Sequence, residues 1–72
     1  MLTGKLLKII RVNRELPQKE LAEMLGVHQS YITQMETGKK PITKNMDKKI
    51  KEVLNLTEEN VIAAFSLFMS TK

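Results

Sequence analysis

Apolar positions recur along the chain at helical spacing, and no stretch alternates as a strand would. Leu2, Leu6, Leu7, Ile9 and Ile10 form a stripe, with Lys5, Lys8 and Arg11 mostly on the other side. This predicts a first helix over about residues 3–15. Pro17 marks a break and suits a first helical turn, so a second helix runs from there to Leu25. A third spans about Gln29 to Glu36, and Gly38-Lys39-Lys40-Pro41 reads as a loop by composition. Ile42, Met46, Ile50, Val53 and Leu54 define a fourth helix. Thr57-Glu58-Glu59 offers an N-cap followed by two acids, which opens a fifth over about residues 57–70. The expectation is an all-α chain, a compact bundle of five helices forming one domain over residues 1–72.

Residues 17–38 carry a more specific pattern. Ala22 sits four before Gly26, Ile32 six after it, and Met35 three after Ile32. Two short helices packed at a steep angle need these residue types there. Ala22 lets the second helix approach, and Gly26 permits a tight turn at positive φ. Ile32 and Met35 anchor the second helix on the core. The arrangement is a helix-turn-helix, whose second helix enters a DNA major groove.

Projected at 100° per residue, the third helix places Ile32, Met35 and His28 on one side. Ser30, Thr33 and Gln34 lie opposite, flanked by Gln29 and Tyr31. A merely solvated face usually carries Lys and Glu. Between His28 and Thr37 the sole formal charge is Glu36. Gln pairs bidentately with adenine, and Ser or Thr contacts several base edges, so this face is read as a DNA-reading surface.

Charge and composition narrow the class. The net charge of +4 suits an anionic partner, though many domains carry as much. Residues 1–56 hold eleven Lys or Arg against six Asp or Glu, whereas residues 57–72 hold Glu58, Glu59 and Lys72. The basic part ends where the last helix begins. Cysteine is absent and histidine occurs once, which excludes a thiolate or histidine metal site. No nucleophile, base and orienter come together in the sequence, which argues against an enzyme. Neither a cofactor nor a small-molecule ligand is implied. The start lacks a signal-peptide pattern and charges interrupt every long apolar run, so a cytoplasmic protein without membrane contact is expected.

The segment from Leu7 to Leu56 resembles the lambda-repressor/Cro-like (XRE) helix-turn-helix family. The likeness rests on Leu7-Lys8-Ile9-Ile10-Arg11, Gln18-Lys19-Glu20-Leu21-Ala22, Gly26-Val27 and Ile32-Thr33-Gln34-Met35-Glu36-Thr37-Gly38-Lys39. It implies a compact bundle of four or five helices that binds operator DNA, typically as a dimer. Gln29, Ser30, Thr33 and Gln34 fall where the family contacts bases. Gln18 falls where a backbone phosphate is held, and Lys39 and Lys40 fall in a loop that meets phosphate. Lys44, near that loop, is a further phosphate candidate. Arg11 and Glu36 resemble a structural ion pair between the first and third helices. The chain departs from the family at Pro17 and His28, where Ser or Thr usually caps a helix; each change removes a side-chain cap worth about 1 kcal/mol. His28 is read as a helix-start residue without a functional role. Tyr31 is left open between phosphate contact and core edge.

The last helix fits a bundle core only in part. Val61, Ala64, Phe65, Phe68 and Met69 form a broad stripe, widened by Ile62, with Leu67 outside it. The arc is about 160° wide, where a helix resting on one core commonly shows roughly 100° or more. Ile62, Leu67 and Met69 are therefore candidates for protein–protein contact. Two functions stay open: a Cro-like regulator that binds operator DNA as a homodimer, or a modulator that seizes a related repressor and keeps it off DNA. Small proteins of temperate phages, including modulators of repression, resemble the chain in length and build. An antitoxin is a third and weaker option.

Overall fold

The computed structural model describes residues 2–57 together with Glu59, Ile62, Ala63 and Ser66. Four helices form among them: α1 (Gly4–Asn13), α2 (Gln18–Leu25), α3 (Gln29–Glu36) and α4 (Lys44–Val53). The expected count of five is thus corrected to four among the described residues. Most of the stripe that suggested a fifth (Val61, Ala64, Phe65, Phe68 and Met69) lies outside the described residues; Glu59, Ile62, Ala63 and Ser66 are each helical, but no fifth element is delimited.

The helix ends follow from local chemistry. Thr3 caps α1, its hydroxyl accepting the Leu6 N–H at 3.1 Å. Thr43 caps α4 and accepts from Met46 at 3.2 Å. Pro17 and His28 precede α2 and α3 and give no side-chain cap. Pro17 therefore sits one position outside the first turn that its ring was expected to occupy.

α1 stops at Asn13, earlier than its apolar stripe predicts, because the chain turns left-handed at Glu15 (φ 53°). The Glu15 N–H then donates to Val12 O at 2.9 Å and the Leu16 N–H to Arg11 O at 3.0 Å, which satisfies two terminal carbonyls. α4 closes the same way on Asn55 (φ 52°), with Leu56 donating to Lys51 O at 2.8 Å. At α2 the left-handed residue is Gly26 (φ 69°), and Val27 donates to Ala22 O at 3.0 Å. Ile42 is buried, yet in the segment before α4 and not within the helix.

Leu7, Leu21, Leu25, Ile32, Met35 and Ile50 are fully buried at the centre. Leu2, Leu6, Ile10, Ala22, Ile42 and Leu54 complete the core around them. Burial of each large side chain is worth about 1.5–3 kcal/mol before ordering costs. α2 packs most extensively on α3, with Ala22 of α2 buried in the core. α1 reaches α3 at Gly4, where a Cβ would overlap the carbonyl oxygen of Met35. The start of α1 thus lies directly on the last turn of α3.

Candidate nucleic-acid interface

α3 is held by Ile32 and Met35 from below, so its opposite face is set by helical geometry. Gln29, Ser30 and Thr33 are exposed there, and Gln34 is half-buried. The one formal charge on the helix does not reach this face. The Glu36 side chain is only 2% exposed and meets Arg11, itself 11% exposed. Arg11 Nε donates to Glu36 Oε2 at 2.6 Å, Nη2 to Oε1 at 3.1 Å, and Nη1 to the Leu16 carbonyl at 2.9 Å. A forked, charge-assisted pair of this kind is strong when both partners are satisfied.

Two further side chains extend the cluster. Gln18 Nε2 donates to Glu36 Oε1 at 3.0 Å, and Thr33 Oγ1 donates to Gln18 Oε1 at 3.1 Å. The end of α1, the start of α2 and the middle and end of α3 are thereby joined through one polar cluster. Gln18 and Thr33 come together, although the sequence placed one on phosphate and the other on bases.

The basic candidates lie in the segment that follows α3. Lys39 and Lys40 are exposed in the loop after α3, and Lys44 is exposed at the first position of α4. Lys40 is the more constrained of the loop pair. Its backbone N–H donates to Gln34 O at 3.1 Å, and its ammonium stands 5.8 Å from the Tyr31 ring centre. Tyr31 itself is half-buried against the core, which places it at the core edge. His28 is exposed at the start of α3.

One residue at this surface was not singled out from sequence. Lys19 is exposed in the first turn of α2 and lines an open depression of about 480 Å³ with Gln29, His28 and Glu23. Its signal was its place beside Gln18 at a helix start. The first helical hydrogen bond of α2 runs from Leu21 to Pro17 O at 3.1 Å, so the N–H groups of Gln18, Lys19 and Glu20 precede it. Their partial positive charge lies beside Lys19, with the acid Glu20 in the same turn.

Ile62 is 61% exposed, and Val12 and Met24, which the sequence did not mark, are exposed as well. The other two expected protein contacts, Leu67 and Met69, lie outside the described residues. Among the described residues no helix is long and apolar enough to cross a membrane.

No curated protein and no solved structure gives a significant match to the chain. A family model described as helix-turn-helix matches residues 7–60, from the middle of α1 to beyond α4. The chain belongs to the XRE-family helix-turn-helix proteins, a family of DNA-binding regulators.

Proposed function

We propose that the protein is a small transcriptional regulator of the Cro-like type that reads operator DNA with α3. The observation that carries this reading is the face of α3, whose sole charge is turned inward onto Arg11 and whose exposed groups are hydrogen-bonding amides and hydroxyls. Gln29, Ser30 and Gln34 choose the sequence by contacts to base edges. Thr33 belongs to the same face. Gln18, Lys39, Lys40 and Lys44 set the helix in the groove through the phosphate backbone, which carries affinity without sequence information. A second copy, bound side by side, reads the other half of a two-fold operator.

A second reading has an observation of its own. Ile62, marked from the sequence for protein contact, is 61% exposed, and an exposed apolar patch around it would serve a protein partner. A phage-type modulator would use it, with Leu67 and Met69, to hold a related repressor off its operator.

Gel shift with the DNA upstream of the protein's own reading frame, paired with mass in solution, separates the two. The regulator retards that DNA as a dimer. Gln34→Ala then costs roughly 1–3 kcal/mol on the preferred site and little on random DNA. Equal losses on both would remove Gln34 from base reading. A protein that retards no DNA but co-purifies with a repressor is the modulator.

A further inference from the structure

We infer that Thr33 is a positioning residue, which acts on DNA through Gln18 and gives no proton to a base. The inference rests on the DNA-reading proposal above and narrows it. Its basis is the direction of hydrogen bonding in the polar cluster. The Glu36 carboxylate, forked to Arg11, can only accept. The group of Gln18 that meets it at 3.0 Å must therefore be the amide nitrogen. That choice turns the amide oxygen to Thr33, and an oxygen there requires the threonine hydroxyl to donate at 3.1 Å. A hydroxyl has one hydrogen. The other acceptor within reach, Gln29 O at 3.4 Å, is also part of the protein.

Two consequences follow for the DNA surface. Thr33 has no proton to give to a guanine or thymine oxygen, so it lacks the donor that a base contact of that kind needs. Gln18 has one amide N–H left after the bond to Glu36, at the start of a helix whose first backbone N–H groups precede the first helical bond. A phosphate oxygen is the acceptor suited to that place. Thr33 and Glu36 together fix the amide plane, so the free N–H is aimed before DNA arrives. Donor contacts to base oxygens are left to Gln29, Ser30 and Gln34.

The test uses the full chain and the tightest duplex recovered from a randomised DNA pool, compared with the unselected pool. Thr33→Val keeps the shape and removes the hydroxyl. It should weaken both DNAs alike, by roughly 2- to 10-fold, the range expected for one hydrogen bond. Thr33→Ser should restore binding. Once Gln18→Ala is present, Thr33→Val should add almost nothing, because the two residues act as a unit. The base preferences selected by Thr33→Val should match those of the wild type. Independently of DNA, the Gln18 side-chain amide resonances should shift in Thr33→Val and return in Thr33→Ser. Additive losses in the double variant, or a changed preference at one base pair, would overturn the inference while leaving DNA reading intact. A wild type that selects no duplex overturns the DNA-reading proposal instead, and the amide resonances still report whether Thr33 holds Gln18.

Discussion

α1 and α4 begin differently from α2 and α3. The outer pair starts on Thr3 and Thr43, whose hydroxyls each take a backbone N–H. The inner pair starts on Pro17 and His28, which take none. A side-chain cap is worth about 1 kcal/mol, so the helix-turn-helix gives up stability that the scaffold helices keep. At α2 the N–H groups of Gln18, Lys19 and Glu20 carry a partial positive charge and receive no side-chain cap from Pro17. The scaffold helices are capped by the side chains that precede them, whereas the inner pair is not.

Two contacts join α1 to α3, and breaking them tests whether the scaffold sets the position of α3. The larger effect is expected at Arg11. Its guanidinium serves Glu36 twice and the Leu16 carbonyl once, and both charges are largely shielded from water. Arg11→Ala should cost about 3–5 kcal/mol in urea unfolding, because the Glu36 carboxylate loses its counter-charge in a shielded site. Arg11→Lys should recover only part of this, since an ammonium cannot form the fork. A loss below about 1 kcal/mol would mean that Glu36 turns out to water as an exposed pair would.

Gly4 is the second tie. A methyl group there would strike backbone at Met35, and backbone cannot rotate away as a side chain can. Gly4→Ala should therefore destabilise by about 1–3 kcal/mol, against the usual helical gain for alanine. Amide chemical-shift changes at the end of α3 would locate the strain. A variant as stable as the parent would show that α1 can move off α3 without cost.

The sequence carried these two regions unequally. α3 was legible to its bounds, since Gln29 to Glu36 lies between a glycine turn and a loop and its apolar residues keep helical register. The core side of the motif was equally plain in Ala22, Ile32 and Met35. α1 was less so, because Glu15 takes the left-handed turn that glycine usually marks, and nothing in its residue type announces it. Gly4 gave no sign of close packing, as the neighbour it meets is distant in sequence. The bond from Thr33 to Gln18 was hidden for a related reason. Periodicity places Thr33 on the outward face, but only the approach of α2 decides where its hydroxyl points.

Smaller changes probe the caps themselves. Thr43→Ala should cost about 1 kcal/mol, and His28→Ser should return up to a similar amount by supplying the cap that α3 lacks. The two shifts in thermal midpoint should thus have opposite sign. If His28→Ser leaves stability unchanged, its hydroxyl does not find the first-turn N–H groups, and the contrast between the helix pairs rests on more than the capping residue. Measured beside it, Lys39→Ala should weaken all DNA sequences similarly and lower the salt slope by roughly one unit.

The smallest expected effect is a pH dependence at the start of α4. Asp47 accepts the Leu2 N–H at 2.8 Å and meets the Lys51 ammonium at 3.0 Å, which binds the chain start to α4. Burial alone would raise its pKa, but the Leu2 hydrogen bond and Lys51 outweigh that, so the carboxyl titrates below its ordinary value of 3.8. A lowered folded-state pKa stabilises the fold above the unfolded value and ceases to do so as the pH falls through the folded one. Wild type should therefore exceed Asp47→Asn in stability near neutrality, and the difference should shrink as acid is added through and below pH 3.8. Since the amide of the variant can still accept from Leu2, what disappears is chiefly the charged contact with Lys51, which is 37% exposed and partly screened. Urea unfolding of both proteins across that range measures the difference directly. A gap that stays constant with pH would assign the effect of the substitution to packing, and the scaffold side of the molecule would then owe nothing to this charge.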